Sequence, residues 1–285
     1  MKTRKKTRAR VAKLPRIGGI MFDVDGTLLL GDRSLGSYEV LPGAIAVLDD
    51  LRARGVPFVL MTNGSAYPPA RQAAKLRNIG LPVDDAQMLT PSSVAADLMA
   101  RNGVKRVLVL GTEGVGHCLR EAGIRTLAAA EPNADDVDAV YVGWHPGCGM
   151  SDIEMACNAI WHGAKLYVAS NVPFFATKQG RTIGYSFAIV AAIRSITRAP
   201  MILTGKPSPH ALRFVAQRLG IAPREVAVVG DDPLVETIMA RRAGGAAFAV
   251  TTGTTSAAEW AKQPAARRPH RVLESLGELV AAIAG

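Results

Sequence analysis

Short apolar segments of strand length alternate along this chain with segments of helical periodicity. Residues 17–24 form the first apolar segment, the stretch from Gly43 carries apolar residues at helical spacing, and residues 57–61 are again apolar. Further apolar segments lie at residues 107–110, 139–142, 166–169, 201–203, 226–229 and 246–250. Strands that alternate with helices predict an α/β protein built on parallel sheets.

The composition is that of an ordered globular protein. Of the 285 residues, 48% are hydrophobic and 20% are charged. At roughly 150 residues per domain, this length predicts about two domains. The longest uncharged apolar run, residues 183–193, is too short to span a bilayer, and the longer uncharged stretch 243–258 is rich in Gly and Thr. The sequence therefore predicts a soluble protein with no transmembrane segment.

The net charge of +10 is concentrated at one end of the chain. Residues 1–16 contain eight basic side chains and no acidic one, which leaves 26 basic against 24 acidic residues in the rest of the chain. The body is therefore nearly neutral, and we expect no specific nucleic-acid partner. Residues 1–16 are predicted to be a basic, disordered tail, and the alternative is that this tail contacts an acidic partner.

The cysteines predict a reducing compartment. Cys118, Cys148 and Cys157 form no C-x-x-C pair, and their odd number favours reduced thiols and a cytoplasmic location. The first 16 residues also lack the apolar segment of a secretory signal. His145 and Cys148 form an H-x-x-C sequence, but no second pair of ligands follows at zinc spacing, so the sequence does not predict a structural zinc site.

Polar side chains stand where the predicted strands end. They are Asp23 and Asp25, Thr62 and Asn63, Asp231, and Lys206, which comes three positions after a strand. Open α/β sheets bind ligands at the carboxyl ends of their strands, so these side chains are predicted to meet in one crevice. Asp23 and Asp25 leave the same face of an extended chain, and two carboxylates so close resist joint ionisation unless a cation joins them. Mg²⁺ meets this need, with Asp231 as a third carboxylate.

Four short motifs give the sequence a resemblance to a known family. Residues 23–28 are Asp-Val-Asp-Gly-Thr-Leu, followed by Thr-Asn at 62–63, Gly-Lys-Pro-Ser-Pro at 205–209 and Gly-Asp-Asp at 230–232. In this order they resemble the motifs of the haloacid dehalogenase (HAD) superfamily phosphatases, over residues 17 to about 253. The 205–209 motif is similar to that of subfamily IIA. This branch has a type C2 cap and includes p-nitrophenylphosphatase-like, nucleotide, phosphoglycolate and sugar phosphatases.

The resemblance implies a Rossmann-like, doubly wound parallel-sheet core domain with an inserted α/β cap domain. Thr27 and Thr62 are 35 positions apart, too few for an inserted domain, whereas 143 positions separate Asn63 from Lys206. We therefore predict a catalytic core at residues 17–80 and 200–285 and a C2-type cap at residues 81–199. A homo-oligomer assembled through the cap is left open.

The resemblance also implies a catalytic set of three residues. Asp23 is the nucleophile that attacks phosphorus and forms an aspartyl-phosphate. Asp25 protonates the departing alkoxide and then takes a proton from the hydrolytic water. Lys206 binds the phosphoryl group, neutralises its charge and orients Asp23.

Phosphate and metal contacts are implied in the same way. The Thr62 hydroxyl and the Asn63 backbone amide hold phosphoryl oxygens. Mg²⁺ is bound by the carboxylates of Asp23 and Asp231 and by the backbone carbonyl of Asp25. The predicted cofactor is therefore Mg²⁺.

Four further residues extend the predicted site. The family usually carries Asp five positions after the Asp of the last motif, and Glu236 stands there in this chain, where it can still accept metal-bound water. Asp232 either lies close to the metal site or caps the following helix. In the cap, the turn that contains His145 and the segment that contains Asn171 are the candidate substrate contacts.

The predicted function is Mg²⁺-dependent hydrolysis of a phosphomonoester of a small metabolite, such as a sugar phosphate, a nucleotide or a phosphoglycolate-like compound. Dehalogenase and phosphonatase activities are disfavoured because Asp25 supplies an acid that a leaving alkoxide needs and a halide does not. Mutase-like transfer is disfavoured because it resembles enzymes with a different cap position. The alternative from another class is a non-catalytic binding or regulatory protein that retains the HAD fold, with the tail on an acidic partner.

Overall fold

The computed structural model describes residues 14–32, 37–177 and 180–284 of the chain. The predicted basic tail lies outside the described residues, except for its last three positions. There Leu14 packs against a hydrophobic core, and Arg16 forms an ion pair with Glu225 at 3.2 Å. The prediction of a disordered tail therefore concerns residues 1–13, because the fold already includes Leu14.

The described residues form an alternating series of strands and helices. The strands are β1 Gly19–Phe22, β2 Leu29–Gly31, β3 Tyr38–Val40, β4 Phe58–Met61, β5 Met88–Leu89, β6 Arg106–Leu110, β7 Arg125–Leu127, β8 Ala139–Val142, β9 Lys165–Val168, β10 Phe174–Thr177, β11 Gly180–Ile183, β12 Met201–Leu203, β13 Val226–Gly230, β14 Ala247–Val250 and β15 Arg271–Leu273. The α-helices are α1 Ala44–Ala53, α2 Pro69–Asn78, α3 Pro91–Arg101, α4 Glu113–Glu121, α5 Met150–Trp161, α6 Tyr185–Thr197, α7 Pro209–Leu219, α8 Ile238–Ala243, α9 Ala257–Ala261 and α10 Leu279–Ala284. A π-helical segment, Pro233–Thr237, leads into α8. Within the described part of the chain, no helix is both long and apolar enough to cross a membrane.

Six parallel strands form the first sheet, in the order β15-β14-β13-β1-β4-β5. Its four inner strands are buried along their whole length, as expected for a parallel sheet covered on both faces. From β1 the chain continues to β4 on one side and later returns to β13 on the other. This reversal of strand order opens a crevice at the carboxyl ends of β1 and β13, where doubly wound sheets bind ligands.

A second sheet of five parallel strands, in the order β12-β9-β8-β6-β7, is inserted in the chain between β5 and β13. It has its own hydrophobic core, in which β6, β8 and β9 pack with α5 and α6. The predicted fold class, a Rossmann-like parallel core with an inserted α/β unit, is confirmed.

The chain passes from one sheet to the other at later positions than the predicted domain boundaries. β5 lies beyond residue 80 and still pairs with β4 of the first sheet, and β12 lies beyond residue 199 and still pairs with β9 of the second. The predicted boundaries lie at turns. In the structure, the chain adds β5 to the edge of the first sheet before it enters the second, and adds β12 to the edge of the second sheet before it returns. The division into core and cap domains itself stays a prediction.

Two antiparallel hairpins, β2 with β3 and β10 with β11, are not predicted from the sequence. Their strands are only three or four residues long, and three of the four mix polar with apolar side chains, so they give little apolar signal. The two hairpins meet where β2 contacts β10. Because β10 also lines the crevice through Phe174 and Phe175, this contact lies beside the candidate site.

Candidate active site

Asp23 directly follows the central strand β1, and its backbone N–H donates to Val229 O of β13 at 2.9 Å. Its buried carboxylate has a partner at each oxygen. The Thr27 hydroxyl donates to Oδ2 at 2.9 Å, and the Lys206 ammonium donates to Oδ1. Asp23 is therefore held in one orientation at the carboxyl end of the sheet.

Asp25 accepts a hydrogen bond from the Thr62 hydroxyl, with 3.1 Å between Oδ2 and Oγ1. The same hydroxyl accepts from the Gly64 N–H at 2.8 Å. Burial, and then the charge of Asp23, raise the pKa of Asp25 to about 6, a value suited to proton exchange near neutral pH. The sequence assigns the Thr62 hydroxyl to a phosphoryl oxygen. In the structure this hydroxyl holds Asp25 instead, and its phosphate contact stays a prediction.

Lys206 is buried to 1% exposure between two carboxylates. Its ammonium contacts Asp23 Oδ1 and lies 2.8 Å from Glu236 Oε1. Burial alone would lower the pKa of this ammonium, but the charges of Asp23 and Glu236 raise it well above its usual range. Lys206 therefore stays charged in a place where an unpaired ammonium would be costly.

The backbone of Lys206 is held by the side chain of Asn63. Asn63 Nδ2 donates to Lys206 O at 3.0 Å, and Lys206 N donates to Asn63 Oδ1 at 2.8 Å. A Cβ on Gly205 would lie 2.5 Å from Asn63 Oδ1 and 2.2 Å from Ala169 O, so this close approach requires glycine. The sequence-based prediction concerns only the backbone amide of Asn63, as a phosphate contact. In the structure, the Asn63 side chain also positions the backbone of Lys206.

Glu236 is buried and faces Lys206, and its Oε2 accepts a hydrogen bond from Asp232 N at 3.3 Å. Burial raises the pKa of the Glu236 carboxyl, while the charge of Lys206 opposes that rise. Asp232 caps the π-helical segment, because its Oδ1 accepts from Leu234 N at 2.7 Å. The longer side chain at position 236 thus reaches the ammonium of Lys206.

Asp231 follows β13 directly, and two loops enclose its carboxylate. Thr254 N donates to Oδ2 at 2.6 Å. A Cβ on Gly26, where φ is +87°, would lie 2.6 Å from the same oxygen, and a Cβ on Gly253 would lie 2.0 Å from it. Burial, and then the charge of Asp23, raise the pKa of Asp231 to about 7. The two carboxylates therefore oppose each other's ionisation unless a cation joins them.

The charges at the crevice favour a bound divalent cation. Among the described residues that line it, the only cationic side chain is Lys206, which stands against the carboxyl groups of Asp23, Asp25, Asp231, Asp232 and Glu236. The carboxylates of Asp23 and Asp231 and the backbone carbonyl of Asp25 offer oxygen only, which is the donor set that Mg²⁺ prefers. The residues present therefore fit a Mg²⁺ site at this place.

The opposite wall of the crevice is aromatic and comes from the second sheet and its hairpin. The Trp144 ring packs edge-on against Tyr185, with centroids 4.5 Å apart, and lies 6.1 Å from Phe175. Trp144 N donates to Ser65 Oγ at 2.9 Å, and Thr112 N donates to Trp144 O at 2.9 Å. These bonds fix the backbone of Trp144 opposite the carboxylates.

The two predicted cap contacts are not among the described residues that line this crevice. Asn171 is exposed, and the residues on either side of it, Ser170 and Val172, line the crevice instead. His145 lies 3.5 Å from Asp152, and Trp144 is the member of that turn that lines the crevice. The substrate contacts predicted for Asn171 and His145 therefore have no support in the geometry of this crevice.

Several side chains at the crevice are not predicted from the sequence, namely Ser65, Phe174, Phe175, Tyr185 and Thr254. The adjacent aromatic residues Phe174 and Phe175 were one sequence signal of this wall, because they precede a short polar segment. Ser65 and Thr254 gave no signal, because single hydroxyl residues in loops occur throughout the chain and their partners are far away in sequence.

The chain is similar to known proteins in both sequence and structure. A sequence model described as haloacid dehalogenase-like hydrolase matches residues 20–125, and a HAD-hydrolase-like model matches residues 203–279. The D-glycerol 3-phosphate phosphatase of Mycobacterium tuberculosis is 31% identical over 91% of this chain and 70% of its own length. The two matched ranges contain all four motifs.

Solved structures give the same result. The 4-nitrophenylphosphatase of Thermotoga maritima superposes with a TM-score of 0.82 at 26% identity, covering 94% of this chain and 97% of that one. The glycerol phosphate phosphatase of Mycobacterium tuberculosis was solved in complex with magnesium. It superposes with a TM-score of 0.81 at 28% identity, covering 93% of this chain and 76% of that one. The likeness thus includes both sheets.

The chain belongs to the haloacid dehalogenase-like hydrolase family. Within that family it is a phosphatase of the IIA type, with Mg²⁺ as its cofactor. The resemblance, the enzyme class and the cofactor predicted from the sequence are confirmed. The protein is therefore an enzyme, and the alternative of a non-catalytic binding protein is set aside.

Proposed function

We propose that this enzyme hydrolyses a phosphomonoester of a small metabolite whose leaving group is uncharged, through an aspartyl-phosphate on Asp23. The observation that carries the proposal is the buried ion pair of Lys206 with Asp23, which faces an aromatic wall. The ion pair provides a nucleophile beside a fixed positive charge. The wall provides the surface on which the rest of the substrate lies.

Asp23 supplies the nucleophile. With Thr27 on Oδ2 and Lys206 on Oδ1, its carboxylate is oriented before substrate arrives. One carboxylate oxygen forms a bond to phosphorus while the bond between phosphorus and the ester oxygen breaks, which leaves an aspartyl-phosphate. The ammonium of Lys206 lies beside Asp23 Oδ1, where it stabilises the negative charge of the phosphoryl group during transfer.

Asp25 moves the proton. Its carboxyl donates a proton to the ester oxygen as the alcohol leaves. It then takes a proton from the water that attacks the aspartyl-phosphate, so that phosphate departs and the enzyme is restored. The bond from Thr62 to Asp25 Oδ2 keeps the carboxyl in place through both steps.

The metal site shares Asp23 and Asp25 with these catalytic steps and adds Asp231. Asp23, Asp231 and the backbone carbonyl of Asp25 would hold Mg²⁺, with Thr254 keeping the Asp231 carboxylate in position. When bound, Mg²⁺ neutralises the negative charge that the phosphate and the attacking carboxylate bring together.

The crevice favours an uncharged leaving group. Of the described side chains that line it, Lys206 alone is cationic, and Asp23 and Glu236 already flank it. Among these described lining side chains, a second anionic group, as in a phosphoglycolate-like substrate, would therefore find no further cation to offset the loss of its hydration. The aromatic wall and the hydroxyls of Ser170 and Ser186 suit a sugar, polyol or nucleoside. The names of two relatives, a D-glycerol 3-phosphate phosphatase and a 4-nitrophenylphosphatase, point the same way, since the organic part of each ester has no charged group of its own.

A substrate panel tests the proposal. With Mg²⁺ present, kcat/KM for 4-nitrophenyl phosphate and glycerol 3-phosphate should exceed that for phosphoglycolate by about tenfold or more, the effect of one unpaired charged group. Trp144→Ala should lower kcat/KM for 4-nitrophenyl phosphate, whereas Trp161→Ala, at an exposed position on α5, should not. A preference for phosphoglycolate would contradict the proposal.

Two parts of the sequence-based prediction lie outside this test. The cytoplasmic location rests on the cysteines, and all three, Cys118, Cys148 and Cys157, are free thiols in the structure. Assembly of a homo-oligomer through the cap also stays a prediction, and light scattering of the full chain would test it.

A further inference from the structure

Three different donor groups meet at the turn between β8 and α5. A ring nitrogen of His145, Cys148 Sγ and a carboxylate oxygen of Asp152 all lie within 4.8 Å of one another. The described residues that line the catalytic crevice include none of these three. The H-x-x-C pair in the sequence had lacked further ligands, and the first turn of α5 supplies a third.

The spacing of these donors fits a tetrahedral metal site. His145 Nε2 and Asp152 Oδ2 are 3.5 Å apart, which is long for a hydrogen bond between charged groups. In a tetrahedron with metal–ligand bonds of about 2.0–2.2 Å, two ligand atoms lie about 3.4 Å apart. Nitrogen and oxygen are thus already at the separation that one shared metal ion requires.

Backbone contacts hold two of the donors in place. Gly149 N donates to Asp152 Oδ2 at 2.7 Å, which orients the carboxylate toward the turn. Cys148 N donates to His145 O at 3.2 Å and closes the turn that brings the thiol beside the imidazole. The next residue upstream, Trp144, is fixed by Ser65 and Thr112.

We propose that His145, Cys148 and Asp152 bind Zn²⁺ at a site separate from the catalytic Mg²⁺ site. A thiolate, an imidazole and a carboxylate form a donor set that suits Zn²⁺ and not the hard cation Mg²⁺. Three protein ligands leave the fourth position to water or to a small ligand. Because His145 follows Trp144 directly, Zn²⁺ at this turn also restrains the residue that carries the aromatic wall.

Metal binding to the full chain, with Mg²⁺ at saturation, tests the proposal. Calorimetry should show one Zn²⁺ per chain, and Cys148→Ser and His145→Ala should each weaken binding by about tenfold or more. Cys157→Ser and His162→Ala are matched controls, because neither residue belongs to the cluster, and they should leave binding unchanged. Equal Zn²⁺ affinity in wild type and in the double variant of His145 and Cys148 would overturn the proposal.

Co²⁺ identifies the ligand directly. With Co²⁺ the wild-type chain should show the near-ultraviolet charge-transfer band of a thiolate-bound ion, and Cys148→Ser should lose it. Asp152→Asn can still accept from Gly149 N, so it separates loss of a ligand from loss of the turn. If Asp231→Asn abolishes Zn²⁺ binding and Cys148→Ser does not, the ion binds at the catalytic carboxylates and the proposal fails.

Discussion

The side chain of Asn63 binds both backbone polar groups of Lys206, although 143 positions separate the two residues. Asn63 stands in the loop after β4, and Lys206 stands in the loop after β12 of the other sheet. The paired hydrogen bonds therefore connect Lys206 to the sheet that carries Asp23. This connection predicts that Asn63 contributes to turnover without touching the substrate through its side chain.

We expect Asn63→Ala to lower kcat more than it raises KM. Losing both hydrogen bonds frees the backbone of Lys206, and a displacement of about 1 Å at a catalytic group costs up to about a hundredfold in rate. Asn102→Ala, which removes one hydrogen bond to Tyr167 in the second unit, should leave kcat unchanged. Steady-state kinetics on 4-nitrophenyl phosphate measure both effects. Equal changes in the two variants would contradict the positioning role.

Lys206→Met should both inactivate and destabilise the enzyme. Removing the ammonium leaves Asp23 and Glu236 buried without their cation, which costs about 3–5 kcal/mol in unfolding free energy. Adding Glu236→Gln removes one of the unpaired charges, so the double variant should regain part of the stability and none of the activity. Urea unfolding compares the variants, with Lys165→Met at an exposed position as control. Strict additivity of the two substitutions would argue against their coupling.

Asp23→Asn should abolish turnover and keep the fold. An amide has nearly the volume of the carboxylate but cannot attack phosphorus, so the rate should fall on the order of a thousandfold or more. Asp49→Asn, at an exposed position on α1, is the matched control and should keep full activity. Activity of Asp23→Asn within tenfold of wild type would rule out its role as nucleophile.

Chelation should remove activity, and Mg²⁺ should restore it where Ca²⁺ does not. Ca²⁺ is larger, takes more ligands and would move the Asp23 carboxylate away from in-line attack. Mg²⁺ should also raise the melting temperature, because it relieves the repulsion between Asp23 and Asp231 that raises the pKa of Asp231. Asp231→Asn should lose this thermal shift. Full turnover with Ca²⁺ would show that the metal has another role.

Deleting residues 2–13 should leave kcat, KM and melting temperature nearly unchanged, because this segment has almost no apolar surface to bury. Deleting residues 2–16 should lower the melting temperature, since Leu14 packs against the core and Arg16 pairs with Glu225. If the tail steers anionic substrates instead, the shorter deletion raises KM severalfold at low salt, and this effect disappears at physiological salt.

Much of the fold could be predicted from local pattern. The apolar segments 139–142 and 201–203 coincide with β8 and β12, and most of the others differ from their strands by one or two residues. The strands β1, β4, β8, β13 and β14 are buried along their whole length, so their consecutive residues are all apolar or small. The hairpins, β7 and β15 carry little such signal because most of their strands mix polar with apolar side chains, and β5 has only two residues.

The amino-acid sequence alone predicts that Asp23, Asp25 and Asp231 lie at one edge of a parallel sheet, because each follows an apolar strand and the carboxyl ends of parallel strands meet. It also determined the family, through four motifs in a fixed order. Tertiary structure alone decided which groups pair: Glu236 with Lys206, Asn63 with the Lys206 backbone, and His145 with Asp152. Local patterns report burial one element at a time, whereas these contacts depend on distances between elements, which only packing sets.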